Sequence, residues 1–137
     1  MKFVCNKDDI LNEIIYSMNF TSQRNSLSIT SNVYLETFDG RLIIKATDQK
    51  LGFITEIAVD TLQEGRTTVF CEKLLNILRS LPNTQIDFSL EDGMLTIKPE
   101  EQNIDFKLRT IDADEFPSLE NPELSSYFTI PQKTFTD

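Results

Sequence analysis

Carboxylates are the most numerous chemistry-bearing side chains in this 137-residue sequence, with 22 Asp and Glu against 13 Lys and Arg. Adjacent acids stand at Asp8-Asp9 and Glu100-Glu101, and Asp112, Asp114 and Glu115 cluster in "DADE". Such groups can ligate a divalent cation or divide acid and base roles between them. Neither chemistry has its supporting pattern here. A calcium loop alternates oxygen ligands around a glycine at a fixed place, and none of the three stretches does so. An acid–base pair works on a substrate held in a pocket, beside a nucleophile, and no nucleophile–base motif accompanies these acids. They read as solvated charge.

The chain has no histidine, which removes the commonest general base at neutral pH and the commonest metal ligand. Cys5 and Cys71 lack metal-ligand spacing and without histidine would supply half a zinc site. They are expected reduced and partly buried. No catalytic residue, metal or cofactor is expected.

The net charge of −9 argues against a domain that grips nucleic acid through a bulk basic surface. The acids crowd into residues 91–123, so earlier faces can differ in sign from the whole. No apolar run is long enough to span a membrane, and "MKFVCNKDD" lacks the core of a secretory signal. The expected location is the cytoplasm.

The elements that must position these residues can be read from periodicity. "KFVC" suits a short strand, and Asn6 can cap a helix whose third position is Asp9. Ile10, Leu11, Ile14, Ile15 and Met18 then draw one apolar stripe, with Asn12, Glu13, Tyr16 and Ser17 falling away from it. Residues 19–31 are polar and read as a loop. "NVYLETF" and "RLIIKAT" form a hairpin about Asp39-Gly40, and "LGFITEIAV" is a third strand. "LQEGR" reads as a turn. The pattern then restarts: "TTVFC" as a strand, "EKLLNILRSLP" as a helix with Leu74, Leu75, Ile77, Leu78 and Leu81 on one face, a hairpin about Asp92-Gly93, and "NIDFKLRTI" as a strand.

The expected fold is therefore α+β, two βαβββ repeats whose two helices pack on antiparallel sheets. The near-identical "FDGRLIIKA" and "EDGMLTIKP" are equivalent hairpins, and the two cysteines fall at matching strand ends. A first domain is expected over 1–111 and an acidic, Pro-containing linker over 112–124. "SYFTIPQKTFTD" looks like a further strand and helix beginning, so 125–137 is expected to open a second domain and the sequence to be a piece of a longer polypeptide.

That order, with "MKF", the "ATD" of 46–48, the "TTV" of 67–69, "KLLNILRSLP" of 73–82 and "DADEFPSL" of 112–119, resembles the bacterial sliding clamp family, the beta subunit of DNA polymerase III. The resemblance covers essentially the whole chain and matches the family's first domain of three plus the start of the second. It implies the DNA clamp fold and a homodimeric ring around duplex DNA, lined by helices and walled by sheets. That ring would hold a polymerase on its template without catalysing anything, and the polymerase and clamp loader would bind the later domains.

The resemblance also implies roles for residues. Arg24 falls where the family places an arginine that touches DNA, and Lys7, Lys73 and Arg79 lie on or beside the helix faces that would line the hole. Ile104, Phe106 and Leu108 share one side of the strand that in the family joins the second subunit, near which Lys73 also lies. Departures from the pattern are Glu72, where a base is often found, the acids Asp8, Asp9 and Glu13, and Asn103 and Asp105 in place of interface bases. Two other functions compete: a carboxylate hydrolase, supported only by the acid excess, and a protein-binding module that uses an exposed sheet edge and never meets DNA.

Overall fold

The computed structural model describes residues 1–21, 29–48, 51–100 and 103–117. Its elements are β1 (Lys2–Asn6), α1 (Lys7–Met18), β2 (Asn32–Phe38), β3 (Arg41–Thr47), β4 (Gly52–Ala58), β5 (Asp60–Gln63), β6 (Gly65–Phe70), α2 (Cys71–Arg79), β7 (Gln85–Glu91), β8 (Met94–Pro99) and β9 (Phe106–Ile111). The α+β fold of two βαβββ repeats is present.

Local chemistry fixes the ends of these elements. The Asn6 side-chain oxygen accepts from the Asp8 amide at 3.0 Å, satisfying one of the first-turn donors that an α-helix leaves unpaired. Phe70, at the matching place before α2, makes no side-chain cap, so α2 depends more on burial of Leu74, Leu75 and Leu78. Both hairpins turn through two residues with positive φ, Asp39 (54°) and Gly40 (75°), then Asp92 (53°) and Gly93 (74°). These are the type I′ turns whose twist suits antiparallel strands.

The strands order as β4-β3-β2-β6-β9-β8-β7-β1-β5. The repeats interlock: β1 pairs with the second hairpin, setting Phe3 opposite Phe88, and β6 pairs with the first, setting Val69 opposite Val33. The Phe3 and Phe88 rings stack 4.6 Å apart. Only Val59 separates β4 from β5, yet these strands stand at opposite ends of the order, so the sheet curls back around its core. Both helices and both halves of the sheet feed one core, in which Ile10, Ile14, Leu74 and Leu78 are fully buried. Each such side chain contributes about 1.5–3 kcal/mol of transfer free energy.

Four expectations change. The "LQEGR" stretch is not all turn: Asp60–Gln63 continues the line of β4 and pairs with β1. In α1 the stripe is rotated: Ile15 is 36% exposed whereas Ser17 is fully buried, its hydroxyl bonded to the Glu13 carbonyl at 2.8 Å. That bond explains how a serine is tolerated in the core. The cysteines are not equivalent, because Cys71 is the first residue of α2, matching Lys7, and Cys5 lies opposite Ile86 as Val69 lies opposite Val33. Finally, the connector after β9 does not begin as free chain. Ala113–Glu115 form a short 3-10 turn capped by Asp112, while 118–137, including the expected second-domain start, lie outside the described residues.

Candidate nucleic-acid and subunit interfaces

The two helices lie against each other, and each carries a row of exposed residues on the side away from the core. On α2 that row is Glu72, Lys73, Asn76 and Arg79, all exposed. Neither Lys73 nor Arg79 has an ion pair among the described residues, so both charges are available to solvent or to a ligand. On α1 it is Asp8, Asp9, Asn12 and Tyr16. The helix surface is thus split: cations toward the α2 side, carboxylates at the start of α1. The acids there favour the positive end of their own helix.

Lys7 stands apart from the other candidates. Its side chain is only 13% exposed, and its ammonium lies 3.6 Å from the Asp8 carboxylate. Its charge is partly spent inside the domain. Arg24 lies outside the described residues.

On β9, Phe106 and Leu108 pair with Ile97 and Leu95 of β8. Leu108 is 6% exposed and belongs to the main core, while Phe106 is half-buried against that core. Ile104 precedes the strand and is 51% exposed. The three residues therefore grade from core to surface. Along Phe106–Arg109 no strand among the described residues pairs with the outer edge of β9, whereas its last two residues cross to β6.

Sequence reasoning missed a second open edge. β4 pairs only with β3 among the described residues, leaving its outer side unpaired from Gly52 to Ala58. Beside it Phe20 and Phe53 stack at 5.3 Å, with Tyr16 at 6.4 Å from Phe53, and Ile15, Tyr16 and Leu51 are exposed. The signal was available in the repeat itself: β4 occupies in the first unit the place of β9 in the second. Open edges flanked by apolar side chains invite pairing with another chain segment.

Neither cysteine is poised to react. Burial, reinforced by Asp9 at Cys5 and Glu72 at Cys71, pushes each thiol up to about 12. Among the described residues no group of three His, Cys, Asp or Glu side chains could hold a metal ion, and no helix is long and apolar enough to cross a membrane.

Residues 1–120 match the model of the DNA polymerase III beta subunit, N-terminal domain. The chain is 39% identical over 131 residues to the beta sliding clamp of Treponema pallidum and 29% identical over 136 residues to that of Escherichia coli, covering 96% and 98% of this chain. It spans about a third of the length of these relatives, 35% and 37%. A crystal structure of the Helicobacter pylori beta clamp bound to a DNA ligase peptide superposes with a TM-score of 0.83 at 33% identity, over 86% of this chain and 33% of that one. The Pseudomonas aeruginosa subunit superposes with a TM-score of 0.82 at 28% identity, over 88% of this chain and 33% of that one. By the family match over residues 1–120, with which the superpositions agree, this chain belongs to the DNA polymerase III beta subunit family, within its N-terminal domain.

Proposed function

We propose that this chain is the first domain of a DNA sliding clamp, a ring that encircles duplex DNA and tethers a replicative polymerase, without catalysis of its own. The observation that carries the reading is the pair of matching open edges, β4 and β9, on a domain whose two helices lie against each other. A unit with two such edges, β4 and the Phe106–Arg109 stretch of β9, can join a neighbour at each, and a head-to-tail series that closes is a ring. The helix surface then faces the hole, and Lys73, Arg79 and Arg24 meet phosphates without reading bases. Lys7, largely enclosed, contributes least.

In this reading Ile104 and Phe106 face the second subunit, with Leu108 supporting them from the core and Lys73 at the rim. The polymerase and the clamp loader bind the later domains of the ring, and the protein works in the bacterial cytoplasm. The acidic start of α1 suits a ring that must slide, since threading rather than tight contact would retain it.

The test is a chimera in which residues 1–120 replace the first domain of the Treponema pallidum relative. It is loaded by a clamp loader onto nicked circular DNA, half of which is then linearised. Retention on circles with loss from linear ends is expected. Equal retention on both forms means that contacts hold the DNA. No retention on either, while the intact relative loads, favours a module that binds proteins through its sheet edge.

A further inference from the structure

On the face of the sheet opposite the helices, the segment leaving β9 is pinned down. Ala113 and Phe116 are 5% and 9% exposed and pack with Tyr34 of β2 in a small cluster separate from the main core. The Phe116 and Tyr34 rings lie 5.4 Å apart. Tyr34 is itself held: its hydroxyl donates to Glu36 at 2.6 Å, and the Lys45 ammonium sits 4.9 Å over its ring. Arg66 of β6 pairs with Asp114. Within the segment, the Asp112 carboxylate accepts from the Asp114 amide at 2.9 Å, and the Phe116 amide donates to the Ala113 carbonyl at 3.1 Å. Phe116 is extended (φ −74°, ψ 136°), the conformation favoured by a residue that precedes proline, here Pro117.

A connector meant only to span two places needs none of this. An acidic, exposed stretch of chain would ordinarily stay solvated. Here an aromatic anchor, an ion pair, a capped turn and a proline all act within six residues. From this we infer that residues 112–117 are an anchored strap that fixes the direction in which the chain leaves the domain. Pro117, the last described residue, is thereby held in one direction relative to the sheet, and the purpose of that rests on the clamp reading, because a ring closes only if successive domains meet at a constant angle. Tyr34 and Arg66 are its positioning residues, Phe116 and Asp114 its attachments.

The test needs only this chain. Spin labels are attached at Asn83→Cys, an exposed site, and Ser118→Cys, just past the strap; the buried Cys5 and Cys71 stay unlabelled. The inter-label distance distribution is expected to be narrow. Phe116→Ala should widen it about twofold or more, as a freed linker would, with Phe116→Leu close to the parent. Should Phe116→Ala unfold the domain, Asp114→Ala, at a position 70% exposed, serves instead and widens it in the same direction. The inference is overturned if the parent is as broad as these variants, or if a folded Phe116→Ala variant stays as narrow as the parent. Failure here leaves the DNA-retention test untouched, and failure there leaves the strap in place.

Discussion

A Cβ placed on Gly65 would stand 2.8 Å from the Cβ of Met1 and 3.1 Å from its backbone nitrogen. Met1 is 7% exposed and belongs to the main core, and its carbonyl accepts from Leu90 at 2.9 Å, so it cannot swing aside freely. Gly65→Ala should therefore destabilise the domain by about 1–3 kcal/mol, the range for forcing extra volume into a packed site. Urea unfolding followed by circular dichroism measures it. An unchanged midpoint would mean that β1 and β6 approach each other less closely.

The glycines of the two hairpins differ from Gly65 in kind. Among the described residues nothing lies within 4 Å of a Cβ at Gly40 or Gly93, yet both have φ near +75°. Alanine there meets backbone strain rather than a neighbour, which costs about 1–2 kcal/mol per residue in the left-handed region. Gly40→Ala and Gly93→Ala should cost nearly the same, because the φ angles of the two turns match within about 1°. A large difference in unfolding free energy between them would break the equivalence of the repeats.

Thiol burial gives the domain an alkaline limit. Cys5 and Cys71 stay protonated in the fold up to about 12, whereas an unfolded thiol ionises near its ordinary value of 9.0. Their contribution is thus complete below pH 9 and is lost as pH rises from 9 toward 12. The slope approaches about 1.4 kcal/mol per pH unit for each thiol. Urea midpoints at pH 8 and pH 10.5 should diverge in the parent and lie closer together in Cys5→Ala/Cys71→Ala. Below pH 9, neither thiol should react with an aromatic disulfide until the protein unfolds.

The repeats, the helices and the hairpin turns were legible because each depends on local signals: a cap at Asn6, a stripe of leucines in α2, and Asp-Gly between alternating runs. What escaped was set by packing and by pairing between segments that local pattern does not encode. Ser17 reads as polar and surface-facing until its hydroxyl is seen bonded to Glu13, which frees it to be buried. β5 reads as a turn because its partner, β1, lies some 60 residues away. The cysteines look equivalent when counted along the sequence, but the ladder partners Ile86 and Val33 assign Cys5 to Val69 instead. Among the site residues, Lys73 and Arg79 stand exposed as their spacing implies. The enclosure of Lys7 depends on its contact with Asp8 and on packing that no periodicity encodes.

The split helix surface makes a graded prediction. Replacing Lys73 and Arg79 together with Gln should weaken binding of the chimeric ring to duplex DNA. Each lost phosphate contact should lower the salt-dependence slope by about 0.9. Lys7→Gln should change that slope least. Asp8→Asn/Asp9→Asn should act oppositely, raising affinity by removing negative charge from the helix surface. Fluorescence anisotropy across a salt series reads all three. A slope change from Lys7→Gln as large as half that of the Lys73/Arg79 double substitution would show that the enclosed ammonium is released on binding.

The gradation from Leu108 to Ile104 separates folding from assembly. Leu108, at 6% exposure and within the core, should cost about 2–5 kcal/mol when truncated to alanine, so its loss would weaken a ring only by unfolding the domain. Phe106 is half-buried against the core and Ile104 is 51% exposed, so a charge at Ile104 is tolerated by the monomer, whereas one at Phe106 also removes some apolar packing; both are penalised further where another subunit covers them. Ile104→Asp/Phe106→Asp in the chimera should therefore lower the melting temperature of this domain less than Leu108→Ala does, while shifting the ring from dimer to monomer in analytical ultracentrifugation. Leu108→Ala should do the reverse, lowering the melting temperature and leaving any folded protein dimeric. If the double charge variant stays dimeric, the β9 edge is not the subunit contact. The β4 edge, with Tyr16, Phe53 and Leu51 beside it, then becomes the place where the second subunit docks.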